Sequence, residues 1–353
     1  MNYMRIIFKK FKARMIVGCI LAVIALLAVS VIVFINQASF GRTPRGERLE
    51  RVMKSPNYRN GEFKNQHETL LMTSDRGRFS GIWEFIFRKI DGLRPEQAVK
   101  AIKTDLRKIG RNEEILVWFG HSSYLIQTGG KRILVDPVFC MASPVSFVNK
   151  PFKGTELYTP DDMPDIDYLV ISHDHWDHLD YNTVKKLKDR IGAVICPLGV
   201  GEHFEYWGFD KERLIELDWN EDANLAPGFM IHCLPARHFS GRRLTANQSL
   251  WASFLLEAPS QKIYIGGDGG YDTHYAEIGN RFPGIDLAIL ENGQYNEEWS
   301  LIHLMPQYMA QTARDLKAKR VLTVHHSKYA LAKHRWDCLL YTSDAADDGE
   351  SVD

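Results

Sequence analysis

Three histidines and a suitably spaced carboxylate fall within six consecutive positions of the sequence, at His173, His175, Asp177 and His178. Imidazole nitrogens and carboxylate oxygens are the donors that zinc and similar divalent ions bind in proteins. Residues two positions apart in an extended chain point the same way, so His173 and His175 can bind one ion while Asp177 and His178 face a second. The alternative is a polar surface loop, but histidine makes up only 13 of 353 residues. We therefore predict a metal-binding loop.

The metal loop follows residues 166–171, which read as a buried strand. Further possible donors likewise follow stretches that read as strands: His238, Asp268 and the adjacent pair His325 and His326. Loops at strand ends present reactive groups on a rigid scaffold. Taken singly, His238 is an ordinary surface histidine and Asp268 belongs to a glycine-rich turn. Taken with the histidine loop, they favour one shared centre.

Short strand patterns with a few helices fill the chain from residue 114 onward. Residues 115–127 and 132–136 read as a hairpin around Gly129 and Gly130. Helical spacing covers 184–190 and 306–319, and further strand patterns cover 193–197, 214–219, 229–235, 250–257, 262–266, 286–290 and 320–324. Many strands with few interleaved helices predict a layered α+β sandwich.

The composition is that of a globular protein, with 45% hydrophobic and 25% charged residues. The formal net charge is zero, so nothing predicts a nucleic-acid partner. The five cysteines have no paired CxxC spacing, which predicts neither a disulfide framework nor a thiolate zinc site. The oligomeric state is left open.

An uncharged stretch of 21 residues, 15–35, follows a basic flank at 1–14 that contains no acid. A helix of that length is about 30 Å long, the thickness of the bilayer's hydrocarbon core. We predict an uncleaved single-pass transmembrane anchor; the alternative, a cleaved leader, has a shorter apolar core. The basic flank favours a cytoplasmic N-terminus, an inner-membrane location and a catalytic domain outside the cytoplasm, although arginines at 42, 45, 48 and 51 weaken the charge asymmetry.

Residues 36–111 are interpreted as a linker with peripheral helices. An aromatic run at 79–87, followed by basic residues, is predicted either to lie on a membrane surface or to pack as a helix on the catalytic domain. Residues 95–109 have apolar residues at helical spacing and are predicted to form a surface helix.

The metal loop, together with Gly120-His-Ser-Ser123, Val135-Asp-Pro137 and Gly267-Asp268, resembles the metallo-β-lactamase fold superfamily. Within it, the sequence is most similar to the branch containing the N-acylphosphatidylethanolamine-hydrolysing phospholipase D. The likeness covers about residues 116–337 and implies an αββα sandwich, with the metals at one edge of the sheets, in a catalytic domain spanning 112–337.

The resemblance implies a set of seven ligands for two divalent ions, most simply Zn2+, with Mn2+ or iron as alternatives. His173, His175 and His238 bind the first ion, Asp177, His178 and His325 bind the second, and Asp268 bridges both. His325 is preferred to His326 because it falls in the register of the family's His-Trp-Gly sequence. His326-Ser327 in place of Trp-Gly, and Gly269 after Asp268, are departures that affect the rim of the pocket.

Other residues are expected to support the ligands or to face the substrate. We expect Asp177 to orient the attacking water as well as bind metal, His303 to take part in catalysis, and Asp136 to support the metal loop. Further candidates for a supporting or substrate-side role are His121, Trp176, Tyr181 and Tyr271. For His121 and His303, an ordinary structural histidine is the alternative.

The ligand set predicts hydrolysis of an ester-type bond, because paired divalent ions lower the pKa of bound water and neutralise charge on the substrate. The anchor and the resemblance favour a phosphodiester lipid, cleaved in the manner of a phospholipase D. Lactone hydrolysis, or another ester hydrolysis by the same fold, is the second interpretation, and a β-lactam substrate is less favoured. The third is a non-catalytic metal-binding membrane protein, since fold does not fix function.

Residues 338–353 resemble a translated sequencing adaptor rather than the continuation of the family's sequence. We expect this tail to be foreign and the domain to lack its closing elements, which would leave a strand edge unpaired. The alternative is a natural disordered tail.

Overall fold

Two six-stranded β-sheets share one core in the computed structural model, which describes residues 2–73, 90–145, 147–294 and 296–338. In chain order the strands are β1 (Tyr58–Arg59), β2 (Glu62–Phe63), β3 (Ile115–Trp118), β4 (Tyr124–Thr128), β5 (Lys131–Val135), β6 (Ile166–Val170), β7 (Ile191–Pro197), β8 (Leu214–Leu217), β9 (Asp222–Ala226), β10 (Phe229–Leu234), β11 (Ser253–Glu257), β12 (Lys262–Ile265), β13 (Leu287–Glu291) and β14 (Val321–Val324). The helices are α1 (Asn2–Ile35), α2 (Gly46–Lys54), α3 (Tyr181–Leu187), α4 (Gly201–Tyr206), α5 (His274–Arg281) and α6 (Met309–Asp315).

Both sheets are mixed. The first has the strand order β3-β4-β5-β6-β7-β8 and the second β14-β13-β12-β11-β10-β9, while β1 and β2 form a separate hairpin. Strands β5 to β8 run parallel, as do β12 to β14, and the remaining neighbours pair antiparallel. The predicted α+β class is confirmed.

Alternation along the strands divides the apolar side chains between an inner core and two outer ones. In β4, Ile126 joins the core that both sheets share, whereas Leu125 faces the outer cluster to which α3 and α4 contribute. In the second sheet, Phe254 points inward, whereas Leu255 packs with residues of α5 and α6. The layers are therefore helix, sheet, sheet and helix.

The predicted strand 115–127 is interrupted between β3 and β4. Gly120 has a φ of 82° and His121 a φ of 54°, left-handed values that extended backbone does not have. The interruption turns His121 out of the strand direction. The turn at Gly129 and Gly130 joins β4 to β5 as predicted.

The predicted helix at 95–109 is wrong, since only a 3₁₀ turn at Leu106–Lys108 forms there. The Val99 amide donates to the Lys153 carbonyl (2.8 Å), and the Thr104 amide donates to the Tyr158 hydroxyl (2.7 Å). These tertiary partners replace the bonds a helix would make. The predicted helix at 306–319 is shorter than expected and reduces to α6 with a preceding 3₁₀ turn, while α2, α4, α5 and β9 had no sequence prediction.

The interpretation of residues 36–111 as a linker is wrong for its first half. Helix α2 and the β1–β2 hairpin pack on the domain, where Val52 and Phe63 are fully buried in the core between the sheets. Arg48 of α2 bonds Glu202 (2.7 Å) and Glu216 (2.6 Å). The aromatic run at 79–87 lies outside the described residues, as does the tail from 339 onward.

Helix α1 contains the segment Lys10–Ile35, with a mean hydropathy of 3.2 over its most apolar window. By length and composition it is the one helix in the described part of the chain that could cross a bilayer. Its apolar side chains are largely exposed, as in Leu26, which is 67% accessible.

Candidate metal centre

The predicted donors converge where loops of both sheets meet. The loop after β6 carries His173 to His178, and His238, Asp268 and His325 follow β10, β12 and β14. Their donor atoms form several groups that share members, and within each group the donor atoms all lie within 4.8 Å of one another. Strand ends, rather than strand interiors, therefore supply the site.

The first group consists of His173, His175 and His238. The Nδ1 atom of His175 lies 2.9 Å from His173 Nε2 and 3.3 Å from His238 Nε2. Two nitrogens bound to one tetrahedral zinc ion lie about 3.3–3.4 Å apart. These three side chains are therefore close to the spacing that a single ion requires.

The second group consists of Asp177, His178 and His325, with His121 beside them. Asp177 Oδ2 lies 3.8 Å from His178 Nε2 and 3.7 Å from His325 Nε2. His121 Nε2 lies 3.0 Å from the same oxygen, within hydrogen-bond distance. His121 thus approaches the donor set through Asp177.

Asp268 lies between the two groups. Its Oδ2 atom is 3.1 Å from His325 Nε2, 3.2 Å from His178 Nε2 and 3.9 Å from His238 Nε2. The carboxylate therefore adjoins one histidine of the first group and two of the second. This is the position that a bridging ligand would need.

Hydrogen bonds from outside the centre fix the orientation of the rings. The Nδ1 atoms that face away from the centre find acceptors: His178 at Asp136 Oδ2 (2.8 Å), His238 at the Ile302 carbonyl (2.7 Å) and His325 at the Gly293 carbonyl (2.9 Å). An acceptor at Nδ1 keeps the proton there and leaves the Nε2 lone pair free, as in metal-binding histidines generally.

Several inward-facing atoms are buried without a partner. Within the described residues, Nε2 of His178, Nε2 of His325 and Oδ1 of Asp268 make no hydrogen bond, because the close approaches among these side chains lack hydrogen-bond geometry. Buried polar atoms are normally satisfied. A bound cation would satisfy all three, so the residues present fit divalent metal ions.

The family model described as the beta-lactamase superfamily domain matches residues 131–326, more than half of the chain. The chain belongs to the metallo-β-lactamase superfamily. Consistent with its His/Asp site, it is a metal-dependent hydrolase of that superfamily.

Relatives within the superfamily include an uncharacterized protein of Mycobacterium tuberculosis, 36% identical over 292 residues that cover 80% of this chain and 77% of that protein. The N-acyl-phosphatidylethanolamine-hydrolyzing phospholipase D 1 of Caenorhabditis elegans is 29% identical over 231 residues, covering 61% of this chain and 64% of the relative. Igni18, a metallo hydrolase from Ignicoccus hospitalis, has the same fold, with a TM-score of 0.51 and 18% identity over 66% of this chain and 90% of its own.

The histidines of this superfamily site differ in charge. Burial lowers the pKa of His173 and His238 well below the usual value, so these rings are neutral. Burial also opposes the charged forms of His178 and His325, but the surrounding carboxylates together outweigh it: Asp268 and Asp177 beside both rings, with Asp136 at His178 and Glu291 at His325. The pKa of His178 is raised well above its usual value, and that of His325 is raised to about 10. Without metal, these two rings are therefore protonated on both nitrogens and positively charged at neutral pH.

We expect zinc binding to the metal-free protein near neutral pH to release about two protons, from His178 and His325, because a ligating nitrogen cannot keep its proton. Both pKa values are raised, so zinc affinity should increase as the pH rises toward them. Isothermal titration calorimetry in two buffers with different ionisation enthalpies counts the protons. Zinc binding with no proton release would contradict this charge distribution.

The remaining predicted residues differ in how close they lie to the donor atoms. His303 is buried, with Nδ1 2.7 Å from Glu291 Oε2 and 3.9 Å from Asp268 Oδ2. Asp136 accepts hydrogen bonds from the backbone and hydroxyl of Ser172 as well as from His178. Asp136 therefore contacts the donor set from outside, whereas His303 lies with Asp268, Glu291 and His325 in a further group of possible metal donors.

Three aromatic candidates lie away from the donor atoms. Trp176 contacts the Phe40 ring and the Arg242 guanidinium, Tyr181 packs on Trp207, and Tyr271 donates its hydroxyl to Asp315 and stacks on Tyr308. The structure does not bring these three into the donor groups. His326 also stays outside them, with its ring against Trp118.

Glu291, at the end of β13, was missed by sequence reasoning. It is 2% exposed, and its Oε1 accepts from the amides of Gly269 (2.7 Å) and Leu304 (3.2 Å). Its Oε2 accepts from His303. A carboxylate directly after the predicted strand 286–290 was the available signal. Glu291 ties the Asp268 loop to the His303 loop.

Proposed function

We propose that the protein is a membrane-anchored hydrolase that uses two divalent ions to cleave N-acylphosphatidylethanolamine-like lipids in the manner of a phospholipase D. The observation that carries the proposal is the placement of Asp268 between two groups of metal donors. The similarity to the nematode phospholipase D supports the lipid class. Lactone hydrolysis is the competing activity.

In this proposal, His173, His175 and His238 would hold the first ion, Asp177, His178 and His325 would hold the second, and Asp268 would contribute to both sites. Zn2+ suits this nitrogen and oxygen set, with Mn2+ or iron as alternatives. Bound ions would lower the pKa of water and neutralise charge on the phosphodiester.

The protein's own groups control orientation and proton position around these ions. His121 Nε2 donates to Asp177 Oδ2, which directs that carboxylate. Burial opposes the charged form of His303, but Glu291 and Asp268 together outweigh it and raise the pKa of His303. A protonated His303 beside Asp268 is available as a proton donor to the departing alkoxide.

Contacts at the end of α1 support a membrane lipid as substrate. The ring of Phe34, in the last turn of α1, lies 5.2 Å from that of Phe40, and the Phe40 ring lies 4.9 Å from Trp176 in the metal loop. If α1 spans the bilayer, the metal loop lies near the membrane surface. We propose a cytoplasmic basic flank at 1–14, a membrane segment at 15–35 and a catalytic domain outside the cytoplasm.

The test uses the full chain, reconstituted in lipid nanodiscs with zinc and supplied with N-acylphosphatidylethanolamine. Water attack on phosphorus should yield phosphatidic acid and N-acylethanolamine, both quantified by mass spectrometry. A panel of lactones and bis(p-nitrophenyl) phosphate is assayed in parallel. Lactone turnover without lipid cleavage would favour lactonase activity, and zinc binding without any turnover would favour a non-catalytic metal-binding protein.

A further inference from the structure

Residues 63–69 run along the loop that carries His238, although they are far from it in the sequence. Asn65 contacts both backbone polar groups of His238. Its Oδ1 atom accepts from the His238 amide (3.1 Å), and its Nδ2 atom donates to the His238 carbonyl (2.8 Å). Oδ1 also accepts from Trp251 Nε1 (3.1 Å). One side-chain amide thus holds the backbone of a metal-donor residue.

Asn65 is itself firmly placed. Phe63, two residues earlier, is fully buried in the core between the sheets, and its amide donates to the Asn247 carbonyl (2.9 Å). The Lys64 amide donates to the Asn57 carbonyl (2.9 Å). Trp251, which shares Oδ1 of Asn65, is 1% exposed. The amide therefore projects from the folded core and not from a free loop.

The residue before His238 is held by the same segment. Arg237 Nε donates to the Thr69 hydroxyl (3.0 Å), and its NH2 group donates to the Glu68 carbonyl (2.9 Å). The loop after β10 thus receives side-chain and backbone partners from residues 65–69 over two consecutive positions. These contacts restrict the backbone that carries the His238 ring.

We propose that Asn65 is a positioning residue for the first metal site. Its two bonds fix the backbone of His238, and the Ile302 carbonyl fixes Nδ1 (2.7 Å), so that Nε2 is directed at His175. The inference rests on the proposed role of His238 as a metal ligand. It assigns residues 63–69, which follow the apolar helix in the chain, a part in completing the metal centre.

Two variants test the assignment in the full-length protein. Asn65→Ala removes all three bonds. Asn65→Asp keeps an acceptor for the His238 amide but opposes the His238 carbonyl with a second oxygen. We expect zinc affinity at one site to fall about 10–100-fold, the range typical of groups that orient metal ligands, while the other site is unchanged. Zinc titration and the absorption spectrum of the cobalt-substituted protein separate the two sites.

Asn57→Ala is the matched control, because Asn57, just before the β1–β2 hairpin that leads into residues 63–69, donates to Asp218 (2.8 Å), away from the donor groups. It should change thermal stability without changing zinc affinity. Excess zinc should restore turnover of bis(p-nitrophenyl) phosphate in Asn65→Asp, which loss of a purely structural bond would not allow.

Equal zinc affinities in the parent and Asn65→Asp, or equal losses in Asn65→Ala and Asn57→Ala, would overturn the assignment. A parent protein that binds zinc at two sites but turns over no substrate would contradict the proposed function alone. A parent that binds no zinc would overturn both proposals.

Discussion

Replacing Asp268 with asparagine should abolish hydrolysis and remove most of the bound metal. The Oδ2 atom of Asp268 lies within 3.9 Å of donor nitrogens from both groups, and its other oxygen is buried without a partner. Asparagine keeps the shape but removes the negative charge that two cations would share. The loss of activity should exceed the about 10–100-fold effect typical of outer supporting groups.

Metal content by inductively coupled plasma mass spectrometry and turnover of bis(p-nitrophenyl) phosphate measure this effect in the same sample. Asp286→Asn is the matched control, because Asp286 pairs with Lys319 at the surface, at the start of β13. It should retain both metal and activity. His175→Ala should lose metal and turnover together as well. An Asp268→Asn protein with full metal content and parental turnover would contradict the bridging role.

The structure brings together the donors predicted from the sequence, and their signals in the sequence are local. Each lies in the loop that follows a short apolar run, and buried strands end where polar residues begin. The hairpin predicted from 115–127 and 132–136 also rests on a local pattern, and the structure places Ile126 and Leu125 of β4 on opposite faces. The order of the strands has no such local signal, and the αββα arrangement followed from the resemblance.

The supporting contacts could not be predicted, because they join distant parts of the chain. Arg242 is 3% exposed; its NH1 group donates to the carbonyls of Asp174 (3.2 Å) and Leu179 (2.6 Å), and its Nε donates to Ser39 (2.7 Å). Its guanidinium lies 4.0 Å from the centre of the Trp176 ring. Nothing in the spacing of Arg242 distinguishes it from a solvated arginine.

Local helix-forming patterns also gave a wrong prediction where tertiary hydrogen bonds hold the chain in another conformation. The apolar residues at helical spacing in 95–109 did not form a helix, because loop 153–158 supplies hydrogen-bond partners to the extended chain. The arginines at 42 and 48, read as a flank of the apolar segment, are partners of the buried Glu202. Charge patterning beside an apolar segment can therefore reflect packing on the domain as well as membrane topology.

Replacing Asp136 with asparagine should weaken the second metal site while leaving the fold intact. Asp136 Oδ1 accepts from the Ser172 amide (2.8 Å), and Oδ2 accepts from the Ser172 hydroxyl (2.6 Å) and from His178 Nδ1 (2.8 Å). Its φ of 40° is a left-handed value that asparagine tolerates. The backbone therefore gives no reason for the variant to unfold.

The substitution is expected to change which ring nitrogen of His178 carries the proton. If the asparagine oxygen stays with the Ser172 amide, its NH2 group replaces Oδ2 and donates to His178 Nδ1, which moves the ring proton to Nε2 and blocks metal binding there. If the amide flips, its NH2 group opposes the Ser172 amide in a buried site, at a cost of about 1–3 kcal/mol. We expect turnover and zinc affinity at the second site to fall about 10–100-fold.

Asp180→Asn separates this tautomer effect from a general loss of stability. Asp180 is also a buried carboxylate at the metal loop, but it accepts from the amides of Cys140 and Met141 and from the Thr183 hydroxyl, and it contacts no donor histidine. Both variants should lose thermal stability, and Asp136→Asn alone should lose zinc at the second site. Equal zinc losses in the two variants would instead assign the effect to disruption of the loop, and Asp136 would then have no specific role in orienting His178.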